Sequence, residues 1–562
     1  MNIFKSKICS ISTESRKKLR NPTTFLLLFS LVFVRYCYYG FSYFYQLDDY
    51  IQYHNYTYFA NNVVDLIFDM GLLQARPAAG AADLLIWSKM FAVMLAAVAV
   101  ISAMYVGAAM LLKSVFERHF RIGWVFYAVF CLLPLGIEGT YWVSASSRSV
   151  CGLFFVSLGA WLLQRYFDGS RWYMLVGALV LQLFGSCFYE QVLVFSVALF
   201  LVLGILNCKN TGKKSLWSGF SVANAVIYLL LTSLAPNSSL YSGRMEVVLP
   251  VSSYYYRSFL PEVLRQVKNV FVDGGVYTSV KGFVRGIKIM WQDHAVLYAL
   301  IVILLCILFF ALACAVQRSI DKQAQPNEKK RCIFAVLTGL FLAAAPLAPF
   351  FFLGNPWFSF RGAVASFAGL ALALDAILCS VFSSCKYRVR VNAAISACLA
   401  FVFCVASVSE IHDYRQTTEN DQRIVQTIVD TIDLSDTEDN IGILGLEPSY
   451  LEDQNFYWHE HIHGVTESSW ALTGLIQYKT CQPSLPSVIP LSERELYRQW
   501  NYETNRIDGF DELYYYDVQN NSLIRLTYVQ TGEKAFNLYD EGGILFGTVT
   551  TDADGCGHFA KQ

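Results

Sequence analysis

The sequence predicts a polytopic α-helical membrane protein with eleven transmembrane helices and an extracytoplasmic α+β domain at its C-terminus. Three observations support this. The 562-residue chain is 55% hydrophobic and only 15% charged, whereas soluble domains are about a quarter charged. Eleven apolar segments approach the roughly 20 residues needed to cross a bilayer. The charge is also divided, because residues 410–562 hold 26 acidic and 9 basic side chains, and the two halves carry −17 and +17 within a chain of formal net charge zero.

The apolar segments define the predicted domains. A basic cytoplasmic N-terminus covers residues 1–22, a membrane domain covers 23–409 with long outer segments at 46–86 and 236–293, and the acidic domain covers 410–562. The predicted spans lie near 23–45, 87–112, 122–137, 148–166, 172–189, 191–207, 215–235, 294–316, 332–353, 359–383 and 391–409. The first run is too long for a cleaved signal peptide and lacks a small-residue cleavage site, so we interpret it as a permanent anchor.

Basic residues predict the orientation. Alternate gaps between the spans are rich in lysine and arginine, whereas the short gaps on the other face hold only Arg76, Arg148 and Arg361. Cytoplasmic loops are enriched in bases, so the N-terminus is expected inside and the C-terminal domain outside. Eleven of the 17 acids in residues 1–409 map to the outer face: Asp48, Asp49, Asp65, Asp69, Asp83, Glu138, Glu190, Glu246, Glu262, Asp273 and Asp293.

The second long outer segment has an amphipathic pattern. After an aromatic and basic stretch at 254–257, the apolar residues of PEVLRQVKNVF fit one helical face. They are Val263, Leu264, Val267, Val270 and Phe271. This pattern is typical of a helix that lies in the membrane interface.

The acidic C-terminal region has alternating helix and strand patterns. Helices are predicted at 421–435, 468–478 and 492–500, the last capped by Ser492, and strands at 440–446, 457–465, 511–518, 522–529, 535–540 and 542–551. The turn Asn520-Asn521 predicts a hairpin. His459, His461 and His463 would share one strand face, either as metal ligands or as a solvated surface. One disulfide could join Cys481 and Cys556, although no spacing requires it.

Two adjacent acids follow the first span directly. Asp48 and Asp49 lie in the tyrosine-rich stretch FSYFYQLDDYIQYHNY at 41–56. A carboxylate at this position can act as a general base toward a hydroxyl, or bind a divalent cation such as Mg²⁺ or Mn²⁺. The alternative is a structural cap that opens an interfacial helix, since aspartate is favoured at helix starts. Spacing alone does not separate the two interpretations.

The architecture around LDDY at 47–50 resembles a known family. A first span with its N-terminus inside that ends in LDDY, an amphipathic outer segment, ten further spans and an extracytoplasmic domain together resemble the GT-C superfamily of glycosyltransferases. The chain looks most like the bacterial O-antigen glucosyltransferase-type members. The resemblance covers most of the chain as architecture, but only LDDY as a motif.

The resemblance implies a function. In that superfamily an essential acid lies in the first outer loop, and the donor is a polyprenyl-phosphate sugar presented from the bilayer. It therefore implies a GT-C-like hexosyltransferase that transfers a sugar to a cell-surface glycan, glycolipid or protein at the outer face. Asp48 or Asp49 would be the base or the metal-binding carboxylate.

A lipid-phosphate donor needs cationic partners at the outer interface, because negative charge grows on the leaving phosphate. Arg361, in LGNPWFSFRG, is the first candidate. Its other interpretation is an interfacial anchor beside Trp357. Arg148 is a weaker candidate, and Arg244 or Arg257 in the long outer segment could also contribute.

Four further ionisable residues lie in or near the predicted spans. Glu138 and Glu190 are at predicted outer turns, and acids at membrane depth tend to be functional. Either could instead cap the helix that follows it. Arg35 and Asp375 fall within spans, and we expect them to pair with each other because pairing lowers the cost of burying both charges.

The expected partners are a polyprenyl-phosphate sugar donor, a surface glycan or glycolipid acceptor and membrane lipids, with no nucleic acid. The chain has no P-loop or dinucleotide fingerprint, which argues against an ATP-driven pump. A transporter or flippase of lipid-linked saccharide is one alternative, although no internal repeat typical of transporters is present. A polysaccharide polymerase or ligase is the other. A membrane acyltransferase is less supported, because no histidine is firmly placed within a span.

Overall fold

The chain is mostly helical and ends in a sheet-containing region. The computed structural model describes residues 21–59, 76–233, 247–320, 328–354, 357–383, 385, 387–447, 450–451, 462–492 and 500–562. These residues form two compact units. The helical unit contains residues 21–42, 76–82 and the described part of 93–411; the sheet unit contains 43–59, 83–92 and the described part of 412–562. Part of the first outer segment therefore groups with the C-terminal region.

Seven helices in the described part of the chain are long and apolar enough to cross a membrane. They are Pro77–Phe116, Val143–Phe167, Glu190–Ser233, Val296–Val316, Lys330–Phe351, Phe360–Val381 and Arg388–Thr431. Three shorter apolar helices accompany them: Asn21–Cys37, Val125–Gly136 and Tyr173–Ser186. The chain thus has the helices of a membrane protein, and its sidedness stays a prediction.

Seven long helices differ from the eleven predicted spans for two physical reasons. In the described part of the chain, the three shorter helices fall below the roughly 20 residues that cross a bilayer of ordinary thickness. In addition, Glu190–Ser233 covers two predicted spans. Its first part, Glu190–Thr211, ends at Gly212, whose φ of 54° lies in the left-handed region that favours glycine. A 3₁₀ segment, Gly212–Gly219, then leads into Phe220–Ser233, which packs against the first part.

The second outer segment is a run of α- and π-helical turns. It comprises Tyr255–Phe259, Leu260–Lys268, Asn269–Gly274, Tyr277–Lys281 and Gly282–Gln292. Val263 and Val270 are buried as the amphipathic pattern predicts, whereas Leu264 is 51% exposed. Gly286 allows close packing on the last long helix, because a Cβ there would lie 2.2 Å from the carbonyl oxygen of Val405.

Arg35 and Asp375 are both buried, but the predicted pair between them is wrong. Asp375 accepts hydrogen bonds from the backbone N–H groups of Gly123 (2.6 Å) and Phe126 (3.2 Å), at the start of the helix Val125–Leu132. Arg35 donates to the carbonyls of Leu132 (3.0 Å) and Cys131 (2.9 Å), at its end.

This arrangement has a simple electrostatic reason. A helix presents unsatisfied N–H groups and partial positive charge at its N-terminus, and carbonyls with partial negative charge at its C-terminus. Asp375 and Arg35 each satisfy one end of the same eight-residue helix, about 12 Å apart at 1.5 Å per residue. The sequence shows that both charges are buried, but not that a third element separates them.

The sheet unit contains one seven-stranded sheet. Its strands are β1 (Asn440–Leu444), β2 (Ser487–Leu491), β3 (Glu512–Asp517), β4 (Ser522–Gly532), β5 (Ala535–Tyr539), β6 (Leu545–Thr551) and β7 (Gly557–Lys561), in the order β2-β1-β3-β4-β5-β6-β7. β1 is parallel to both β2 and β3, and the remaining pairs are antiparallel. Pro490 lies in β2, at the edge of the sheet, where a missing N–H is tolerated.

Several predicted elements of this unit are confirmed. β3 and β4 form the expected hairpin, with Asn521 at a φ of 48° in its turn. The helix Ser469–Thr480 matches the predicted one. Ile424, Ile428 and Ile432 are buried in the core of the unit, as their spacing predicts. The helix that carries Ile424 and Ile428 begins at Arg388, so it continues directly from the last predicted span. The sequence patterns did not predict this continuity.

Other predictions for this unit are changed or not described. Val465–Glu467 is a 3₁₀ turn and not part of a strand. His459, His461 and residues 493–499 of the predicted helix lie outside the described residues. No disulfide joins Cys481 and Cys556.

Candidate functional site

Glu138 and Arg361 meet in the helical unit. Arg361 lies in the short helix Phe360–Ala363, which precedes the rest of a predicted span. Glu138 Oε2 accepts a hydrogen bond from the backbone N–H of Arg361 at 3.0 Å, and Oε1 accepts one from the Ser359 hydroxyl at 3.4 Å. The Arg361 Nε lies 3.8 Å from Oε1. Glu138 therefore caps a helix, but one that is 223 residues away and not the one that follows it.

Two indole rings hold the Arg361 guanidinium. Its Cζ lies 5.3 Å from the centroid of Trp142 and 4.7 Å from that of Trp357. A guanidinium at these distances is attracted to the ring faces. The Arg361 side chain is 24% exposed, against 8% for Glu138. The cation is thus fixed in place and remains accessible to an anion, which is the arrangement that recognises carboxylate or phosphate.

A buried amide adjoins this cluster. Gln191 is 3% exposed, and neither its Nε2 nor its Oε1 has a hydrogen-bond partner among the described residues. A Cβ on Gly362 would lie 3.0 Å from Gln191 Nε2, so the amide touches the same short helix that carries Arg361. An unpaired buried amide costs about 1–3 kcal/mol. The Gln191 amide therefore has an unused donor and an unused acceptor beside the short helix that carries Arg361.

Sequence reasoning missed Gln191. It directly follows Glu190 in CFYEQV, but a neutral amide at a helix start gives no charge signal that would distinguish it. The predicted site residue Glu190 has a different role. Its carboxylate accepts from Arg76 Nε at 2.9 and 3.1 Å, and Arg76 lies 4.6 Å from the ring of Tyr189. Glu190 also opens the helix Glu190–Thr211, where an acid is favourable.

The other arginines predicted to bind phosphate lie in different environments. Arg148 turns back onto its own helix and donates to the backbone oxygen and to the hydroxyl of Ser144, the latter at 3.3 Å. Arg257 is exposed in Tyr255–Phe259. Arg244 lies outside the described residues.

One outer acid beside them forms a local ion pair. Glu262 accepts hydrogen bonds from Arg265 at 2.7 and 2.8 Å, which holds the pKa of Glu262 below its ordinary value. Both side chains are partly exposed. Glu262 and Arg265 therefore pair with each other within this segment.

Asp48 and Asp49 belong to the sheet unit and differ in environment. Asp49 is fully buried, and its Oδ2 accepts from the Tyr43 hydroxyl at 2.8 Å and from the backbone N–H of Gln46 at 2.9 Å. It therefore fixes the preceding turn, in which Leu47 has a φ of 29°. Asp48 is only partly buried. The structure thus separates two carboxylates that the sequence leaves equivalent.

The tyrosines around these acids mostly pack in the interior. Tyr50 and Tyr53 are buried, and the Tyr50 hydroxyl accepts from Gln422 Nε2 at 2.7 Å. Burial, together with the nearby Asp421 carboxylate, raises the pKa of Tyr50 well above its ordinary value. Tyr58 is exposed and stacks on His54 with ring centroids 5.0 Å apart.

The described residues include no group of three or more His, Cys, Asp or Glu side chains placed to hold a metal ion. His463 instead pairs with Glu467. A divalent cation at Asp48 and Asp49 therefore rests on the family resemblance alone. Asp49 makes no side-chain cap hydrogen bond to the helix Tyr50–Asn55 that follows it and instead accepts from Tyr43 and Gln46 in the preceding turn, so its contacts are structural but are not those of the predicted helix cap.

No protein-family model matches the chain, and comparison with curated proteins finds no match. The residues themselves and the resemblance at LDDY are therefore the basis for assigning a function.

Proposed function

We propose that this chain is a membrane glycosyltransferase. It transfers a sugar from a polyprenyl-phosphate donor to a hydroxyl of a cell-surface glycan, glycolipid or protein at the outer face. The observation that carries the proposal is the Arg361 cluster: a partly exposed guanidinium fixed between Trp142 and Trp357, beside the unpaired buried amide of Gln191.

Arg361 takes the donor phosphate in this proposal. Departure of a sugar from a lipid phosphate builds negative charge on the phosphate oxygens, and a pre-positioned guanidinium stabilises that charge without having to reorganise. Glu138 orients Arg361 through its backbone N–H and through Ser359, so Glu138 is a positioning residue. Gln191 supports the assignment because its amide, in contact with the same short helix, suits the hydroxyls of a sugar.

Asp48 is the proposed general base. This role comes from the resemblance at LDDY, and the choice of Asp48 over Asp49 is supported by the full burial of Asp49 and its hydrogen bonds to Tyr43 and Gln46. Asp48 would remove the proton from the acceptor hydroxyl as that oxygen forms the new bond to the anomeric carbon. The bond from that carbon to the phosphate oxygen breaks, and the lipid phosphate leaves with its electron pair.

The acceptor is proposed to bind at the sheet unit. His54, Tyr58 and Tyr478 form a set of neighbouring aromatic rings, with the Tyr478 ring centroid 5.0 Å from that of His54. Tyr58 and Tyr478 are exposed. Exposed rings offer flat apolar faces on which the C–H faces of a sugar can pack.

The test is transfer from a lipid-linked donor in membranes that contain Asp48→Asn, Asp49→Asn or Arg361→Ala. Asp48→Asn is expected to fold normally and lose transfer, whereas Asp49→Asn is expected to lower stability. Asp273→Asn, which removes a surface partner of Lys268 at 2.9 Å, is the matched outer-acid control. Full activity in Asp48→Asn would show that the proposed base is wrong.

The same preparation separates the alternative functions. Reconstituted vesicles that move lipid-linked saccharide across the bilayer without a new glycosidic bond would identify a flippase. Products extended by whole glycan chains would identify a polymerase or ligase. Mass spectrometry of surface glycans from cells with and without the protein would name the transferred sugar.

A further inference from the structure

A small open cavity lies in the helical unit and shares no lining residue with the Arg361 cluster. Its enclosed volume is only about 20 Å³, so it is a shallow cleft that opens to the surface, and its lining includes the side chains of Arg121, Arg388 and Asn392. Arg121 follows the helix that ends at Phe116, and Arg388 begins the helix Arg388–Thr431. The two arginines come from parts of the chain more than 260 residues apart.

The position of these arginines fits the charge pattern of the sequence. Both belong to gaps between predicted spans that are rich in basic residues, 113–121 and 384–390, and both gaps are predicted at the cytoplasmic face. The structure brings one arginine of each gap to a single cavity. Two guanidinium groups at one cavity make a local positive site at the end of the membrane helices.

The other residues that line the cavity are both polar and apolar. Asn392 is buried, and its Oδ1 accepts from the backbone N–H of Trp124 at 3.2 Å. Phe382 and Val389 provide apolar walls. Val381, which precedes Phe382 in the chain, is 67% exposed and ends the candidate spanning helix Phe360–Val381, so this end of the helix presents an apolar side chain outside the cavity lining.

An acid that contacts one of the cavity-lining residues, Asp375, is bound elsewhere. Asp375 accepts from two backbone N–H groups at Gly123 and Phe126, and the Cys379 thiol, which lines the cavity, lies 3.6 Å from its Oδ2. Its negative charge is thus directed toward a helix N-terminus, where it is favourable.

We propose that this cavity binds the phosphate of an anionic phospholipid, with the acyl chains lying along the apolar surface at Val381. Two arginines can form charge-assisted hydrogen bonds to phosphate oxygens. Basic pockets between membrane helices at the cytoplasmic side are suited to anionic headgroups. The apolar wall and the exposed valine favour a lipid over free phosphate, because free phosphate gains nothing from either. The site is separate from the proposed glycosyl transfer and does not depend on it.

The test uses the purified full chain in detergent and native mass spectrometry with added phosphatidylglycerol or phosphatidylcholine. The wild-type chain is expected to retain one phosphatidylglycerol with a Kd roughly tenfold lower than that for phosphatidylcholine. Arg121→Gln combined with Arg388→Gln should abolish this preference. The matched control combines Arg118→Gln with Arg390→Gln, which removes the same charge from neighbouring positions whose side chains stand elsewhere, Arg118 at Asp168 and Arg390 over Tyr387.

Three results would overturn the proposal: no lipid preference in the wild type, equal loss in both double variants, or displacement of the lipid by millimolar inorganic phosphate. A second measurement avoids any dependence on the folding of the variants. Wild-type protein is irradiated with a phosphatidylglycerol that carries a photoreactive headgroup, and the adducts are mapped. Adducts within 378–392 and at Arg121 would support the site, and adducts only elsewhere would refute it.

Discussion

Two acid–arginine pairs of the helical unit join distant parts of the chain at predicted outer positions, and their exposure differs in a way that their separations do not show. Arg76 and Glu190 approach to 2.9 Å, whereas Arg361 Nε and Glu138 Oε1 are 3.8 Å apart. The shorter pair is nevertheless the more exposed, with about a third of the Glu190 side chain accessible against 8% for Glu138. Glu138 also bonds a backbone N–H and a hydroxyl.

The surroundings therefore decide what each pair does. An exposed ion pair is screened by water and contributes about 0–1 kcal/mol. A buried carboxylate that is bonded to a helix start holds that helix in place, and its loss leaves buried groups unpaired. The Glu138–Arg361 pair organises a site, while the Arg76–Glu190 pair links two surface positions.

The largest expected effect is on stability. Glu138→Ala removes the acceptor for the Arg361 N–H and for Ser359, and should lower the free energy of unfolding by about 3–5 kcal/mol. Glu190→Ala should lower it by about 1 kcal/mol or less. Denaturant unfolding of the purified chain in detergent measures both values. Equal losses in the two variants would show that the environments do not differ as the geometry indicates.

The next effect is on transfer. Arg361→Ala should reduce transfer from the lipid-linked donor about 100-fold, which corresponds to about 2.7 kcal/mol of lost transition-state stabilisation. Arg76→Ala should retain transfer within about threefold, since its loss resembles that of an exposed pair. The assay follows radiolabelled sugar in membranes with matched amounts of protein. If the two alanine variants lose activity equally, Arg361 has no special role.

A third effect tests the close packing behind Glu138. A Cβ on Gly139 would lie 2.6 Å from Val364 Cγ2 and 3.0 Å from Arg361 Cα, so Gly139→Ala must displace the short helix that carries Arg361. The expected cost is about 1–3 kcal/mol. Gly219→Ala is the control, because a Cβ there has no heavy atom within 4 Å. Unfolding measurements that find the two substitutions equally tolerated would contradict this packing.

Sequence patterns predicted where the acids and arginines of the two pairs lie, but not which residues pair with each other. The positions of Glu138, Glu190 and Arg361 at helix junctions follow from hydropathy and charge. Which acid meets which arginine depends on packing between segments 223 residues apart in one case and 114 in the other. Local hydrophobic periodicity does not show which distant segments pack together.

The same limit explains the largest error and the clearest success. Arg35 and Asp375 are the two ionisable residues singled out within spans, and pairing them is reasonable until the helix Val125–Leu132 is known to lie between them. The β3–β4 hairpin was predictable because its register is set by a local turn at Asn520-Asn521. Asp48 and Asp49 were indistinguishable in sequence because burial alone separates adjacent aspartates.

The smallest expected effect concerns the aromatic rings beside the two arginines. Trp357 lies 4.7 Å from the Arg361 guanidinium, and Tyr189 lies 4.6 Å from that of Arg76. Removing a partly exposed ring beside a cation costs about 1 kcal/mol. If Arg361 binds donor phosphate, Trp357→Ala should raise the KM for the lipid-linked donor about fivefold with little change in kcat.

Trp357→Phe should recover part of this loss, because a smaller ring still presents a negative face to the guanidinium. Tyr189→Ala should leave the donor KM unchanged, since Arg76 is outside the proposed site. An equal rise in KM for Trp357→Ala and Tyr189→Ala would mean that both rings act only as membrane-interface anchors. A fall in kcat with constant KM in Trp357→Ala would instead place the ring's contribution in the transition state, where Arg361 itself is proposed to act.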